Sequence, residues 1–206
     1  MKAVFNALTI NDNYMQFQQV KTFILDKLTK ELPKHLSYHN IAHVMDVYQA
    51  AENIGTLERI SEYDMQLLLT AALFHDAGFT RGANKHEEES CRIANQYLPG
   101  YGYTAEEIEK IDGIIMATKI PQLPKNHLEE IICDADLDYL GRDDFPPISD
   151  SLYKEFTESG IVKNENDWNK LQVRFFESHN YFTKSAIKLR HEKKQQHLEL
   201  VKSKIN

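Results

Sequence analysis

The segment LLLTAALFHDAGF, residues 67–79, restricts the fold that this chain of 206 residues can adopt. From Leu67 to Phe74 it is apolar almost all round, so a helix here must be covered by other elements on every face. The apolar run ends in His75 and Asp76, and Gly78 follows as a natural helix stop. We therefore expect a buried central helix over about residues 61–76, with two polar side chains at its carboxyl end.

Helical spacing of apolar residues continues on both sides of this segment, whereas strand-type alternation is almost absent. Capping residues, prolines and glycines place further helices over about 13–30, 38–54, 85–98, 104–118 and 127–140, and two or three more after Pro146. The sequence thus predicts an all-α helical bundle of about eight or nine helices.

The chain is expected to form one domain over residues 1–206, because it contains neither an internal repeat nor a long linker. Its core is expected over about 13–182, followed by a peripheral basic helix over 183–206. This last segment carries seven basic and two acidic side chains. A solvated helix face is the simpler interpretation, and a tail that binds an anionic partner is the alternative.

Composition and charge exclude several classes of protein. The net charge of −7 disfavours nucleic acid as a partner, because phosphate backbones require a basic surface. No apolar run approaches the roughly 18 residues of a membrane helix, and the first residues do not resemble a signal peptide. The two cysteines form no CxxC pair, which fits a reducing compartment. A cytoplasmic protein without membrane contact is expected.

The pair His75-Asp76 is the strongest chemical signal in the sequence. Burying an aspartate beside an apolar run costs several kcal/mol unless a partner compensates its charge. The end of a helix offers carbonyl groups, which favour a cation. A bound metal ion would satisfy both the carboxylate and the helix end. The alternative is a buried His–Asp hydrogen bond with a purely structural role.

A second polar group comes from YHNIAHVMDV, residues 38–47. If the predicted helix begins at residue 38, His39 and His43 are four residues apart and lie on one face, together with Asp46. A solvated polar face is the alternative, but Val47 and Ala50 border the two histidines and make that face partly apolar.

A third group comes from ICDADLDYLG, residues 132–141. Helical geometry places Asp136 at the edge of the buried face, so it is the preferred inward ligand. Asp134 and Asp138 fall on the other flank, where solvation or capping is expected, and Asp134 remains the alternative ligand. Mixed nitrogen and oxygen donors suit one or two divalent ions, with Mn, Fe, Mg, Co and Zn all compatible.

The order H…HD…D within Tyr38–Gly141, about half of the chain, resembles the HD superfamily of metal-dependent phosphohydrolases. The resemblance implies an all-α fold, hydrolysis of phosphate esters by metal-activated water, and metal ligands at His43, His75, Asp76 and Asp136. Bound metal lowers the pKa of water from about 15.7 to about 7, which makes hydroxide available near neutral pH.

The motif YHNxxH also resembles that of the class I cyclic-nucleotide phosphodiesterases. This implies that His39 is a general acid that protonates the leaving oxygen, a role that suits the near-neutral pKa of histidine. Those enzymes carry a further His shortly after the HD pair, which this chain lacks; the resemblance to binuclear members of the HD superfamily implies instead that His86 would bind a second metal, or phosphate together with Lys85. The segment LQVRFF resembles the one in which the phosphodiesterases place a purine-reading Gln, which implies that Gln172 would contact a nucleobase. For both residues an ordinary helical surface position is the alternative.

These observations favour a metal-dependent phosphohydrolase of a nucleotide or related small phosphate ester, with a phosphodiester slightly preferred. A metal-containing module that senses nucleotides without turnover is the first alternative, and a di-iron oxygenase-type protein is the second. The sequence leaves substrate, metal identity, one or two ions, and homo-oligomerisation open.

Overall fold

The computed structural model describes residues 15–205, and this part of the chain contains nine α-helices. They are α1 (Phe17–Glu31), α2 (Ile41–Leu57), α3 (Glu62–Phe74), α4 (His86–Tyr97), α5 (Ala105–Ala117), α6 (His127–Asp136), α7 (Phe145–Glu158), α8 (Glu165–Ser178) and α9 (Lys184–Lys202). The all-α prediction is confirmed. The predicted limits at residues 1, 13 and 206 lie outside the described residues.

Helix α3 is the centre of the fold, as its apolar sequence predicts. Every residue from Leu67 to Phe74 is buried, and the helix packs against α1, α2, α5 and α6. Each large apolar side chain buried in this way contributes about 1.5–3 kcal/mol. Ser61 caps the first turn by accepting a hydrogen bond from the amide of Asp64. The helix therefore holds its carboxyl end, and the HD pair beyond it, at a fixed depth inside the protein.

Two helix boundaries differ from the sequence prediction in ways that matter for the site. Helix α2 begins at Ile41, because the side chain of Asn40 accepts hydrogen bonds from the amides of Ala42 and His43. His39 therefore precedes the helix instead of sharing a helical face with His43. Helix α6 ends at Asp136, and a separate 3₁₀ turn covers Asp138–Gly141.

Gly78 is not the helix stop that the sequence suggested, since α3 ends at Phe74 and Gly78 lies in a 3₁₀ turn, Ala77–Thr80. Its lack of a side chain serves packing: a Cβ atom there would lie 1.9 Å from the carbonyl oxygen of His86. The amide of Gly78 donates to Ser90 Oγ, and this hydroxyl donates to the carbonyl of His75. Helix α4 is thereby fixed against the chain that follows the HD pair.

The C-terminal helix, expected at the periphery, is firmly attached to the rest of the protein. It packs against α8 and against the turn Asp138–Gly141. The guanidinium of Arg190 donates to both oxygens of Asp138 at 2.7 and 3.0 Å. Lys193 pairs with Asp143 and Lys202 with Glu177. Part of the basic charge of this segment is thus used in internal ion pairs.

Lys194 makes the stability of this attachment dependent on pH. It is 2% exposed and donates to the carbonyl of His179, and burial lowers its pKa from 10.5 to about 8. Between these values the unfolded chain binds more protons than the folded protein, so the free energy of unfolding is expected to rise with pH. From pH 8 to 9.5 the expected rise is about 1.5 kcal/mol.

Urea unfolding at the two pH values measures this rise. A Lys194→Met variant should lack it, whereas the exposed control Lys188→Met should retain it. The same pH dependence in all three proteins would contradict the assignment.

No helix within residues 15–205 is both long and apolar enough to cross a membrane.

Candidate metal centre and active site

The HD pair lies at the carboxyl end of α3, and both side chains are buried: His75 is 1% and Asp76 5% exposed. His75 Nδ1 lies 2.8 Å from the carbonyl oxygen of Ala72. This contact places the ring proton on Nδ1 and leaves the Nε2 lone pair for a ligand. Asp76 Oδ2 is buried without an aligned hydrogen-bond donor among the described residues.

Three further contacts bring the predicted ligands together. His43 Nε2 lies 3.4 Å from Asp76 Oδ2, 3.3 Å from Asp136 Oδ1 and 3.3 Å from His75 Nε2. Ligand atoms of His43, His75 and Asp136 all lie within 4.8 Å of one another, and Asp76 Oδ2 is 3.2 Å from His75 Nε2. The four side chains come from α2, the end of α3 and the end of α6.

The electrostatics of this cluster favour a cation. Burial alone would lower the pKa of His43, but the carboxylates of Asp136 and Asp76 raise it to about 10. The pKa of His75 is raised by Asp76 against the same effect of burial, and the histidines hold the pKa of Asp76 well below its usual value. An orphaned carboxylate oxygen among nitrogen and oxygen donors is a set that fits a divalent metal ion.

His39 lies beside this cluster, and Glu155 of α7 contacts the Nδ1 side of its ring. One oxygen of Glu155 contacts His39 Nδ1, and the other accepts from the amides of Tyr38 and His39 at 2.8 and 3.1 Å. Burial would raise the pKa of Glu155, but these contacts lower it. The imidazole also stacks on Phe79, with ring centroids 4.3 Å apart.

Sequence reasoning missed Glu155. It is almost fully buried in an amphipathic helix whose neighbouring residues Leu152 and Phe156 face a cavity. Its partners lie more than 115 positions away in the chain. In the sequence, Glu155 is a glutamate next to the apolar face of the predicted amphipathic helix. That position alone does not show that it contacts His39.

His86 is the first residue of α4 and lies at the edge of the cluster. Its Nε2 atom is 3.6 Å from Asp76 Oδ1 and 3.6 Å from Glu87 Oε1, and its ring packs on Phe79. His86 therefore lies beside the candidate site and not on a surface remote from it. Its assignment to a second metal or to phosphate stays a prediction.

The three aspartates of residues 134–138 have three different partners. Asp136 faces His43 and His75, as preferred from the sequence. Asp134 is fully buried, contrary to the expected solvated flank, and accepts from the amides of Phe182 and Thr183, each at 2.8 Å. Asp138 is also buried and pairs with Arg190. Asp134 therefore faces the start of α9, away from the candidate metal ligands His43, His75, Asp76 and Asp136 (the metal cluster).

A cavity of about 350 Å³ opens from the metal cluster towards α7 and α8. His39, His43, Asp76 and Asp136 line one end. Gln172 lies in its wall, with Oε1 accepting from Ser149 Oγ at 2.8 Å. The residue predicted to contact a nucleobase therefore borders the cavity, but its substrate contact remains a prediction.

Comparison with solved structures identifies the architecture. A predicted HD superfamily hydrolase from an uncultured Thermotogales bacterium superposes with a TM-score of 0.61 at 19% identity, over 90% of this chain and 89% of that one. The protein has the HD-domain fold. Bacillus subtilis YpgQ, solved in complex with ADP, has a TM-score of 0.62 at 20% identity, over 94% and 97% of the two chains.

The HD fold thus extends over nearly the whole chain, beyond the half in which its motif residues lie. No protein-family model matches the sequence, and no curated protein matches it significantly.

Proposed function

We propose that this protein is a metal-dependent phosphohydrolase that acts on a nucleotide or related small phosphate ester. The observation that carries the proposal is the buried Oδ2 atom of Asp76, which lacks an aligned hydrogen-bond donor among the described residues. It lies beside the ring nitrogens of His43 and His75, at one end of a cavity. The likeness to HD-fold proteins supports it, and the structure of B. subtilis YpgQ with ADP is an example of this fold holding a phosphate compound.

His43, His75, Asp76 and Asp136 are the residues that would hold the ion. When bound, a divalent ion activates water at neutral pH and offsets negative charge on the phosphoryl group. The preorganised carboxylates and imidazoles keep the ligand atoms close before binding, so little reorganisation is required. Burial of the cluster excludes bulk water, which strengthens these interactions.

His39 supplies the proton for the leaving oxygen. Glu155 contacts its Nδ1 atom and fixes the orientation of the ring, which leaves Nε2 to donate into the cavity. An ester whose leaving group is a poor one needs this proton most. A phosphodiester is slightly favoured over a monoester on the basis of the His39 motif.

The test is hydrolysis of bis(p-nitrophenyl) phosphate and p-nitrophenyl phosphate after reconstitution with Mn²⁺, Co²⁺, Mg²⁺, Fe²⁺ or Zn²⁺. Turnover is expected with at least one metal and should stop when a chelator is added. The His75→Ala/Asp76→Ala protein should be inactive. The matched control His191→Ala/Glu192→Ala changes an exposed His–acid pair and should keep full activity.

Metal content is measured on the same samples. About one or two ions per chain in the wild type, retained in the control and lost from the double variant, is the expected result. If the wild type binds metal but hydrolyses neither ester nor any nucleotide tested, the protein is a binding module and the proposal fails.

A further inference from the structure

The cavity beside the metal cluster has two chemically different ends. Its far wall comes from α7 and α8, which contribute mainly apolar and aromatic side chains. Those side chains are Phe145, Leu152 and Phe156 from α7, and Trp168, Leu171, Phe175 and Phe176 from α8. They recur at helical spacing, so each helix presents one continuous apolar face to the cavity. A ligand that fills this end must bury apolar surface to gain affinity.

The polar side chains of this wall are already paired with each other. Ser149 donates to the amide oxygen of Gln172, and the Gln172 amide nitrogen donates to Asn169 at 3.4 Å. All three residues are buried. A sugar with several hydroxyl groups would therefore find few free partners here, and each unpaired buried hydroxyl costs about 1–3 kcal/mol.

The charges around the cavity disfavour a polyphosphate. Among the described side chains that line it, none is a lysine or arginine, and Asp76, Glu87 and Asp136 are acidic. The lining histidines, His39, His43 and His86, each already contact a carboxylate. Lys85, Lys119, Lys170 and Arg174 adjoin lining residues in the sequence but are not part of the lining, and Lys119 is paired with Glu88 at 2.7 Å. A metal ion at the cluster neutralises the phosphoryl group that it binds. A second phosphate would then meet Glu87 or the aromatic wall, where an anion is costly.

We infer that the substrate is an ester with a single phosphoryl group and an apolar, aryl or alkyl body lying between α7 and α8. This rests on the proposed phosphohydrolase function and narrows its substrate class. The entrance is consistent with such a body, because Ile120 at the cavity is apolar and 54% exposed. Nucleoside diphosphates and triphosphates are expected to be poor ligands, in contrast to the ADP found in B. subtilis YpgQ.

Binding can be measured without turnover, because Trp168 is the only tryptophan of the chain and lines the cavity. Its fluorescence is followed while methyl-, butyl- and octylphosphonate, or ADP, are added at a constant Mn²⁺ concentration. Calorimetry of the same titrations supplies an independent Kd. Affinity is expected to rise about fourfold for each methylene group that enters the apolar end. ADP is expected to bind more weakly than octylphosphonate.

Leu171→Ser places a hydroxyl in the cavity wall and should reduce the increase in phosphonate affinity that each methylene group provides. Leu189→Ser, at an exposed position on α9, is the matched control and should leave it unchanged. Affinity that is independent of chain length, or tighter binding of ADP than of octylphosphonate, would overturn the inference.

The two proposals fail in different ways. If phosphonates bind with the expected dependence on chain length but no ester is hydrolysed, the phosphohydrolase function fails and the ligand class stands. If nucleoside diphosphates or triphosphates are hydrolysed in preference to aryl and alkyl esters, the function stands and the substrate class is wrong.

Discussion

Asp76→Asn is expected to abolish metal-dependent stabilisation and to lower ester hydrolysis by at least about 100-fold. The substitution keeps the size and shape of the side chain but removes the negative charge. Its Oδ2 atom is one of the buried oxygens without a hydrogen-bond donor among the described residues, and it lies 3.4 and 3.2 Å from the ring nitrogens of His43 and His75. An amide there no longer offsets the charge of a divalent ion.

Thermal unfolding with and without added Mn²⁺ provides a readout that does not depend on activity. At a metal concentration about 100 times Kd, binding should stabilise the wild type by about 2.7 kcal/mol, and Asp76→Asn should show almost none of this increase. Asp150→Asn, at an exposed position on α7, is the control. An equal metal-dependent increase in both variants would remove Asp76 from the ligand set.

His39→Ala is expected to lower kcat by about 10²–10⁴-fold while leaving metal-dependent stabilisation unchanged. The loss should be larger for an ester with an alkoxide leaving group than for a p-nitrophenyl ester, because p-nitrophenolate departs without protonation. Kinetics on the two esters measure this difference. A loss of the same size on both esters would contradict the role of His39 as general acid.

Glu155→Gln tests the positioning of His39. Glutamine can still accept from the amides of Tyr38 and His39, but it replaces the carboxylate contact to His39 Nδ1 by a weaker contact to a neutral amide. We expect a smaller loss of kcat than for His39→Ala. In the double variant His39→Ala/Glu155→Gln, the second substitution should lower kcat little further, because both substitutions affect the same proton donor. Independent, additive losses would show that Glu155 acts through the fold instead.

The parts of the site that could be predicted from the sequence are those determined by local chemistry. The apolar run from Leu67 to Phe74 required a buried helix, and a buried aspartate at its end indicated either a bound cation or a structural His–Asp hydrogen bond. The choice of Asp136 over Asp134 followed from helical geometry. The position of His39 outside α2 did not, because it depends on Asn40 as a cap and on Glu155 as a distant partner.

The burial of Asp134 and the anchoring of α9 could not be predicted for the same reason. A run of aspartates on a helix is usually solvated, and only contacts between residues about 50 positions apart reveal another use. The lining of the cavity by α7 and α8 likewise depends on how these helices pack. Amphipathic patterns predict that each helix has an apolar face, but not that the two faces enclose a space.

The different partners of Asp134, Asp136 and Asp138 have a consequence for the order in which the protein matures. The two aspartates that flank Asp136 are both bound by residues 182–190. Asp134 accepts from the amides of Phe182 and Thr183, and Asp138 accepts from the guanidinium of Arg190. A chain truncated near residue 140 would already contain all four side chains proposed to bind metal. We expect it to bind metal weakly, because the last of them is not yet fixed. High-affinity metal capture then becomes a late event of biosynthesis, set by the docking of α9.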